Sequence, residues 1–386
     1  MTSRERLLKV LNREIPDCVP VCPDISNMVP ARLTGKPFWD IYVYKDPPLW
    51  KAYIDAVRYF DIDGGFELYD FGDLFGDMDE YGDLFELHGP CWEQRIVHRY
   101  NDGGFVTQHY NTQTGLWSEF VVVHTEDNPP ATDVRPETIG LESIPSTWEM
   151  IEGIKKWPEG MELWKLIKQE MGDHGIVGMW SGAQTLLLRR PEDIYTYFEN
   201  PVPFYERREQ MIECVDKRMK TIEGLTEKPD FLFCGASGSL VFQSPDIFVE
   251  LALPVLKHAT ERAAEIGIPT HVHSCGPESF LVKKAVEETK LTVIDPLEIP
   301  PMGDCNLKEL KQLYGDKIIL KGNIHTIQVM LHGTPEMVSQ VSRKAIDDAS
   351  DGGGFILSTG DQCGRDTPDE NIFAMVETAR TYGKYT

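Results

Sequence analysis

His273 and Cys275 stand two residues apart at the end of an apolar run, Pro269-Thr-His-Val-His273. On an extended chain alternate side chains share a face, so both can be offered to one ion, with His271 on the same face deeper in the strand. Glu298 follows the next apolar run in Asp295-Pro-Leu-Glu298, and Cys363 lies just past the last one in Thr359-Gly-Asp361-Gln-Cys363. A histidine, two thiols and a carboxylate form a tetrahedral donor set that suits zinc better than iron or magnesium. The expected ligands are therefore His273, Cys275, Glu298 and Cys363. They come from three separate strand ends and not from a compact knuckle, which points to a catalytic ion with one position open to substrate. Glu298 is read either as a ligand or as a residue that supports the ligands from behind or touches substrate. Trp180, Ser237, His271, Asn323, His325 and Asp361 stand at or beside other strand ends and are the candidate substrate contacts. The competing structural reading of each is a buried small hydrophobe for cysteine or a simple hydrogen-bonded residue for the others.

The elements that must hold these residues read as a repeating strand–helix pattern. Candidate strands are Cys18–Cys22, Gly65–Leu68, Gly175–Trp180, Phe231–Cys234, Pro269–His273, Leu291–Ile294, Lys317–Leu320 and Phe355–Ser358. Helical patterns lie between the later ones: Val202–Glu223, Asp246–Glu265, Pro277–Lys290, Asn306–Leu313, Pro335–Ala349 and Pro368–Tyr382. Ser244-Pro245 and Thr367-Pro368 place a cap and a proline at helix starts. Eight such units predict an α/β fold, a (β/α)8 TIM barrel occupying residues 1–386 as one domain. Active sites of such barrels lie at the C-terminal ends of the strands. An open doubly wound sheet is the competitor, but no Gly-x-Gly-x-x-Gly follows any candidate strand. Residues 88–136 break the pattern. Alternating runs at Gln94–Tyr100, Phe105–Tyr110 and Leu116–His124, separated by Asn101-Asp-Gly-Gly and Asn111-Thr-Gln-Thr-Gly, predict an antiparallel β insertion.

Several motifs carry less. Gly235-Ala-Ser237-Gly-Ser239 lacks the second glycine of a nucleophile elbow. Cys18-Val-Pro-Val-Cys22 runs along a strand and reads as buried. Asp77-x-Asp79-x-Tyr81-Gly82 has His88 where a calcium loop needs Glu, so the acidic stretch 70–85 reads as an exposed loop. His88, His98, His109 and His124 read as packing or surface residues of the insertion.

Composition narrows the function classes. The 386 residues include 62 Asp plus Glu against 38 Lys plus Arg, a formal charge of −24. Such a surface repels nucleic-acid phosphates and anionic membranes. No window carries the ~18 apolar residues of a membrane span. The opening Met1-Thr-Ser-Arg-Glu-Arg-Leu-Leu reads as an amphipathic helix without an apolar signal core, which predicts a cytoplasmic protein. Eight scattered cysteines in that compartment are expected as buried thiols or metal ligands and not as a disulfide framework.

The chain resembles the uroporphyrinogen decarboxylase superfamily, and within it the zinc-dependent corrinoid methyltransferase branch, almost end to end. The resemblance is carried by Ser3-Arg-Glu-Arg-Leu-Leu with Pro16-Asp-Cys-Val-Pro20, by His273-x-Cys275-Gly-Pro277, and by Pro296-Leu-Glu-Ile-Pro-Pro-Met-Gly-Asp304. Lys321-Gly-Asn-Ile324 and the closing Gly353-Gly-Phe-Ile-Leu-Ser-Thr-Gly-Asp-Gln-Cys-Gly-Arg-Asp-Thr-Pro-Asp-Glu-Asn371 complete it. The order His-x-Cys, Glu, late Cys is also similar to the zinc site of cobalamin-independent methionine synthase. The decarboxylases themselves carry an Arg-rich stretch after the first strand; here Pro23-Asp-Ile-Ser-Asn-Met-Val-Pro-Ala-Arg32 has one arginine.

The resemblance implies a methyltransferase with Zn2+ on His273, Cys275, Glu298 and Cys363. Zinc lowers the pKa of bound water from ~15.7 to ~7, about 12 kcal/mol of anion stabilisation, and could ease departure of an ether oxygen in the same way. No Asp-x-His-x-x-Gly segment of corrinoid-binding domains is present, so a corrinoid (cobalamin) would ride on a separate protein docking at the barrel mouth. The closing motif resembles O-demethylating members, which pass methyl from a methoxy compound, here expected to be an aryl methyl ether, to Co(I). The alternatives are a thiol-methylating, coenzyme M-type enzyme, a decarboxylase of the parent type, and an inactive ligand-binding barrel. A homodimer is left open.

Overall fold

Short runs of Phe, Ile, Leu and Val become strands where neighbouring runs can cover both of their faces. The computed structural model describes residues 1–68, 91–183, 188, 191–235 and 238–385. Within them the later apolar runs form a parallel sheet of six strands, Gly178–Trp180, Phe231–Phe233, Thr270–His273, Val293–Asp295, Ile319–His325 and Phe355–Gly360, each bonded to the next in chain order. The last two strands are buried at every position, as parallel strands covered on both faces must be. Register pairs His273 with Asp295, and Asn323 and His325 with Ser358 and Gly360. The chemistry-bearing residues therefore collect at the C-terminal ends.

The predicted strands at Cys18–Cys22 and Gly65–Leu68 carry isolated bridges and single hydrogen bonds. Val21 bridges in parallel to Leu357, with Cys22 N donating to Leu357 O at 2.8 Å and Leu357 N to Pro20 O at 2.9 Å. Asp63 N donates to Val21 O at 2.8 Å, and Gly64 bridges to Gly175. That last contact is backbone on backbone. A Cβ on Gly65, at φ +125°, would sit 1.9 Å from Ile176 O, so only glycine fits.

The core follows from the same pattern. Helix Ser3–Leu11 starts with a reciprocal Thr2–Glu5 capping box and turns Leu7, Val10 and Leu11 inward. They join Cys22, Phe66, Ile176, Phe231, Phe233, Val293, Ile319 and Ile356 in one buried cluster. Arg6 binds Asp17 (Nε–Oδ1 2.8 Å) and Asp63 (Nη1–Oδ1 2.6 Å), and Arg380 reaches the other oxygen of Asp63 at 2.7 Å. Chain segments far apart in sequence are thus joined through one buried carboxylate. Helices Val202–Glu223 and Pro335–Ala349 have the predicted bounds. The predicted single helix Asp246–Glu265 is divided: a turn at Pro245–Ile247, a π-helical turn at Phe248–Ala252, then Leu253–Glu265. Pro254 explains the division, because its ring clashes with the carbonyl four residues back and it offers no N–H to the preceding turn.

The chain divides into two compact units, Met1–Asp24 with Val57–Asp70 and Met171–Thr386, and Ile25–Ala56 with Phe71–Glu170. The sheet described above belongs to the first. The second holds a five-stranded antiparallel sheet in the order Ala131–Val134, Trp117–His124, Phe105–Asn111, Trp92–Arg99, Glu149–Met150. In the second hairpin turn Asn111 Oδ1 accepts from Gln113 N at 3.0 Å and Thr114 N at 2.9 Å. The two edge strands are only four and two residues long and largely exposed, too short for alternation to announce them. Arg95 is stacked between Tyr110 and Trp148, 3.8 and 3.9 Å from the ring centres. None of the eight cysteines is in a disulfide, and no described helix is long and apolar enough to cross a membrane. The acidic stretch 70–85 and His88 lie outside the described residues.

Candidate metal centre

Strand alternation delivers His271 and His273 to one neighbour. Asp295, fully buried at the end of the next strand, has Oδ1 at 2.7 Å from His271 Nε2 and 3.3 Å from His273 Nδ1. Its Oδ2 takes the buried Nζ of Lys321, which also lies 3.3 Å from Glu67 Oε1. The other edge of His273 looks outward, Nε2 standing 3.5 Å from Asp361 Oδ1. Around Asp361 two sets of donors gather within 4.8 Å: Asp24, His273 and Asp361, and Cys275, Glu298 and Asp361.

Backbone conformation aims these groups. Gly276, at φ +94°, turns the chain after Cys275 so that its N–H donates to Glu298 Oε2; a Cβ there would meet Val241 Cγ2 at 2.3 Å. Leu297 (φ +59°) and Asp361 (φ +86°) are left-handed without being glycine. Such residues cost on the order of 1–3 kcal/mol each and persist where surrounding contacts hold them. Leu297 is held on both sides, its N–H by Glu278 Oε2 at 2.8 Å and its carbonyl by Asn323 Nδ2 at 3.0 Å. Asp361 Oδ1 accepts from Gln362 N at 2.8 Å.

Charge follows burial and partners. Burial opposes a cationic His273, but Asp295 and Asp361 outweigh it and raise its pKa well above the ordinary value. His271 is lowered, burial prevailing over the pull of Asp295. Burial would raise Asp295, yet Lys321 and the two histidines hold it well below the carboxylate range. Burial raises Glu298, aided by the charge of Asp361, against the hydrogen bond from Gly276. Burial would raise Asp361 also; hydrogen bonds from His273 and Gln362 N hold it down.

The structure brings the expected ligands together unevenly. His273 belongs to one set, and Cys275 and Glu298 belong to the other. Cys363 belongs to neither, although its N–H donates to Asp24 O at 2.8 Å. Burial, with Asp24 and Asp361 nearby, pushes its thiol up to about 12. The donors N, S and carboxylate O at these separations fit zinc, whose bonds of about 2.0–2.3 Å draw ligands within 4 Å of one another. Asp361, expected as a substrate contact, is a member of both sets.

Among the other expected substrate contacts, His271 is bound to Asp295, Asn323 to Leu297, and Trp180 Nε1 donates to Ala183 O at 3.0 Å. His325 Nδ1 accepts from Ile327 N and Gln328 N at 3.2 and 3.3 Å, capping the following turn, and its buried Nε2 has no partner among the described residues. Ser237 lies outside the described residues. Asp24, Asp295, Lys321 and Glu278 were not singled out in the sequence. Lys321 did leave a signal, a lysine inside an apolar strand, which is rare unless paired.

The chain is similar to several known proteins. Residues 236–382 match the family model described as uroporphyrinogen decarboxylase (URO-D). A methylcobamide:CoM methyltransferase MtbA of Methanosarcina mazei is 27% identical over 139 residues, 36% of this chain and 37% of that protein. The MtbA of Methanosarcina acetivorans is 25% identical over 139 residues, with the same coverage of 36% and 37%. The match thus spans little more than a third of the length of these curated relatives. A solved methyltransferase from Methanosarcina mazei covers 99% of both chains with a TM-score of 0.61 at 16% identity, a likeness of fold. The stretch similar to the uroporphyrinogen decarboxylase family, residues 236–382, carries all four expected zinc ligands.

Proposed function

We propose that the chain is a zinc-dependent methyltransferase that moves a methyl group from a small methoxy compound, an aryl methyl ether, to the Co(I) corrinoid of a separate carrier protein. The reading includes a closed (β/α)8 barrel, with residues 18–22 and 64–68 completing the ring through their bridges to the sheet's two edge regions. Residues 88–136 form an insertion in that single domain, and the protein is cytoplasmic. The observation that carries the functional reading is that Asp361 shares one donor set with His273 and another with Cys275 and Glu298, all at or just past the ends of parallel strands.

His273, Cys275 and Glu298 would hold the ion, with Cys363 as fourth ligand and Asp361 as the carboxylate that yields to substrate. When bound, zinc supplies Lewis-acid polarisation of the ether oxygen, so that the departing alkoxide or phenoxide is stabilised. The chain's own residues orient and select. Asp295 and Gly276 fix the His273 and Glu298 side chains, while Asn323 and Glu278 hold the Leu297 turn that presents Glu298. His325 Nε2, buried and unpartnered, is a hydrogen-bond group available to substrate. Asp24, Glu298 and Asp361 make the donor sets carboxylate-rich, and Lys321 is committed to Asp295 and Glu67. That balance favours a neutral methoxy donor over an anionic thiol or a polycarboxylate porphyrinogen. The corrinoid carrier would dock over the same strand ends.

The names of the two MtbA relatives favour a second reading, methyl transfer from a methylated corrinoid to a thiol. One assay separates them. Zinc-loaded protein is offered methoxyaromatics, methanol or methylamines with reduced cobalamin, and separately methylcobalamin with thiols, while the cobalt spectrum is followed. Methylcobalamin appearing with a methoxy donor supports the first reading; its loss only with a thiol replaces it with the second. No transfer in either direction leaves a ligand-binding barrel.

A further inference from the structure

We propose that Asp295, held by Lys321, decides which nitrogen His273 offers to a metal ion. The inference rests on the metal-centre reading above and adds the device that orients its histidine. Asp295 faces two imidazoles with one oxygen, 2.7 Å from Nε2 of His271 and 3.3 Å from Nδ1 of His273. An ionised carboxylate can only accept hydrogen bonds, so each nitrogen facing it carries a proton. Asp295 therefore fixes a proton on opposite nitrogens of the two rings. His271 is protonated on Nε2, and its Nδ1 is buried with no partner among the described residues. On His273 the same oxygen fixes a proton on Nδ1, so the nitrogen that can exchange its contact with Asp361, at 3.5 Å, for an ion is Nε2.

A metal takes the nitrogen opposite the one held by the carboxylate, because the hydrogen bond on the far nitrogen selects it. The arrangement also removes a competitor. His271 lies two residues away on the same strand and would be an alternative ligand, but its Nε2 is engaged by the same carboxylate. Lys321, fully buried with its Nζ on Asp295 Oδ2 and 3.3 Å from Glu67 Oε1, keeps that carboxylate anionic and in place. Asp295 and Lys321 are positioning residues; neither belongs to the donor sets.

The test reads metal binding and not turnover. In the zinc-loaded chain labelled with 15N-histidine, long-range 1H–15N correlations are expected to show His273 protonated on Nδ1 and metal-bound through Nε2, the signal vanishing in His273→Asn. Asp295→Asn is expected to weaken zinc about 10–100-fold in competition with a chromophoric chelator. Because that variant leaves Lys321 facing a neutral partner, Asp295→Asn/Lys321→Met is measured beside it, with circular dichroism as the check of folding. Zinc bound through Nδ1 of His273, or unchanged affinity in the folded variants, overturns the inference and leaves the metal centre standing. A wild-type chain that takes up no zinc overturns both.

Discussion

Cys275 and Cys363 meet opposite surroundings, and their substitution separates what each does. Cys275 is partly exposed beside Glu298 and Asp361, while Cys363 is fully buried and its thiol is pushed up to about 12. A thiol in that position stays protonated until a cation arrives. Cys275→Ala and Cys363→Ala are each expected to reduce zinc, measured by metal analysis after gel filtration, from about one per chain to a small fraction of that. Circular dichroism should be unchanged. Full zinc in Cys363→Ala would hand the fourth position to Asp361. Lys321 carries a different load. Its removal strands Asp295, and the cost of breaking a buried ion pair from one side is about 3–5 kcal/mol. Lys321→Met should therefore lower the urea midpoint sharply, whereas Lys344→Met, which breaks an exposed pair with Asp348, should leave it nearly unmoved.

At the scale of elements, the strand ends are set by backbone that few residues can adopt. Gly65 approaches Ile176 so closely that a methyl group would displace the Gly64–Gly175 bridge. Gly65→Ala is expected to destabilise by about 2–5 kcal/mol in urea unfolding, since it adds both a clash and an unfavourable φ. Gly276→Ala strikes a different place. Its Cβ would press on Val241 and turn the N–H away from Glu298, so zinc affinity should fall by more than stability does. Helix boundaries were legible wherever a cap or proline marked them, as at Thr334-Pro335. The π-helical turn Phe248–Ala252 was not, because a uniform apolar period continues through it and only Pro254 betrays the widening.

The whole molecule carries −24 of formal charge, so its response to acid depends on which carboxylates are paired. Asp17 has the clearest shift. Burial opposes its charge, but Arg6 and the Cys18 N–H bring it down from 3.8 to about 2. A carboxylate depressed on folding contributes stability that is complete above its unfolded pKa and is lost as pH falls through the folded one. The melting-temperature gap between wild type and Asp17→Asn should accordingly be constant above about pH 4 and narrow as pH falls toward 2. A gap that widens in acid would show that Arg6 does not hold Asp17 in this way.

Part of this protein could be read before any coordinates. Periodicity named all six strands of the parallel sheet and most of the long helices around them. The spacing His273-x-Cys275, with Glu298 and Cys363 at later strand ends, marked the metal-ligating candidates, because alternation is a local property of an extended chain. The clustering of Asp361 and Asp24 with His273, the shared hold of Asp295 on two histidines, and the burial of Lys321 between Asp295 and Glu67 were not legible. Each depends on which strand lies beside which and how far its register slides, and those are settled by long-range packing between segments up to 337 positions apart, as from Asp24 to Asp361. Residue types fixed what chemistry was available; the pairing of strands decided which atoms meet to perform it.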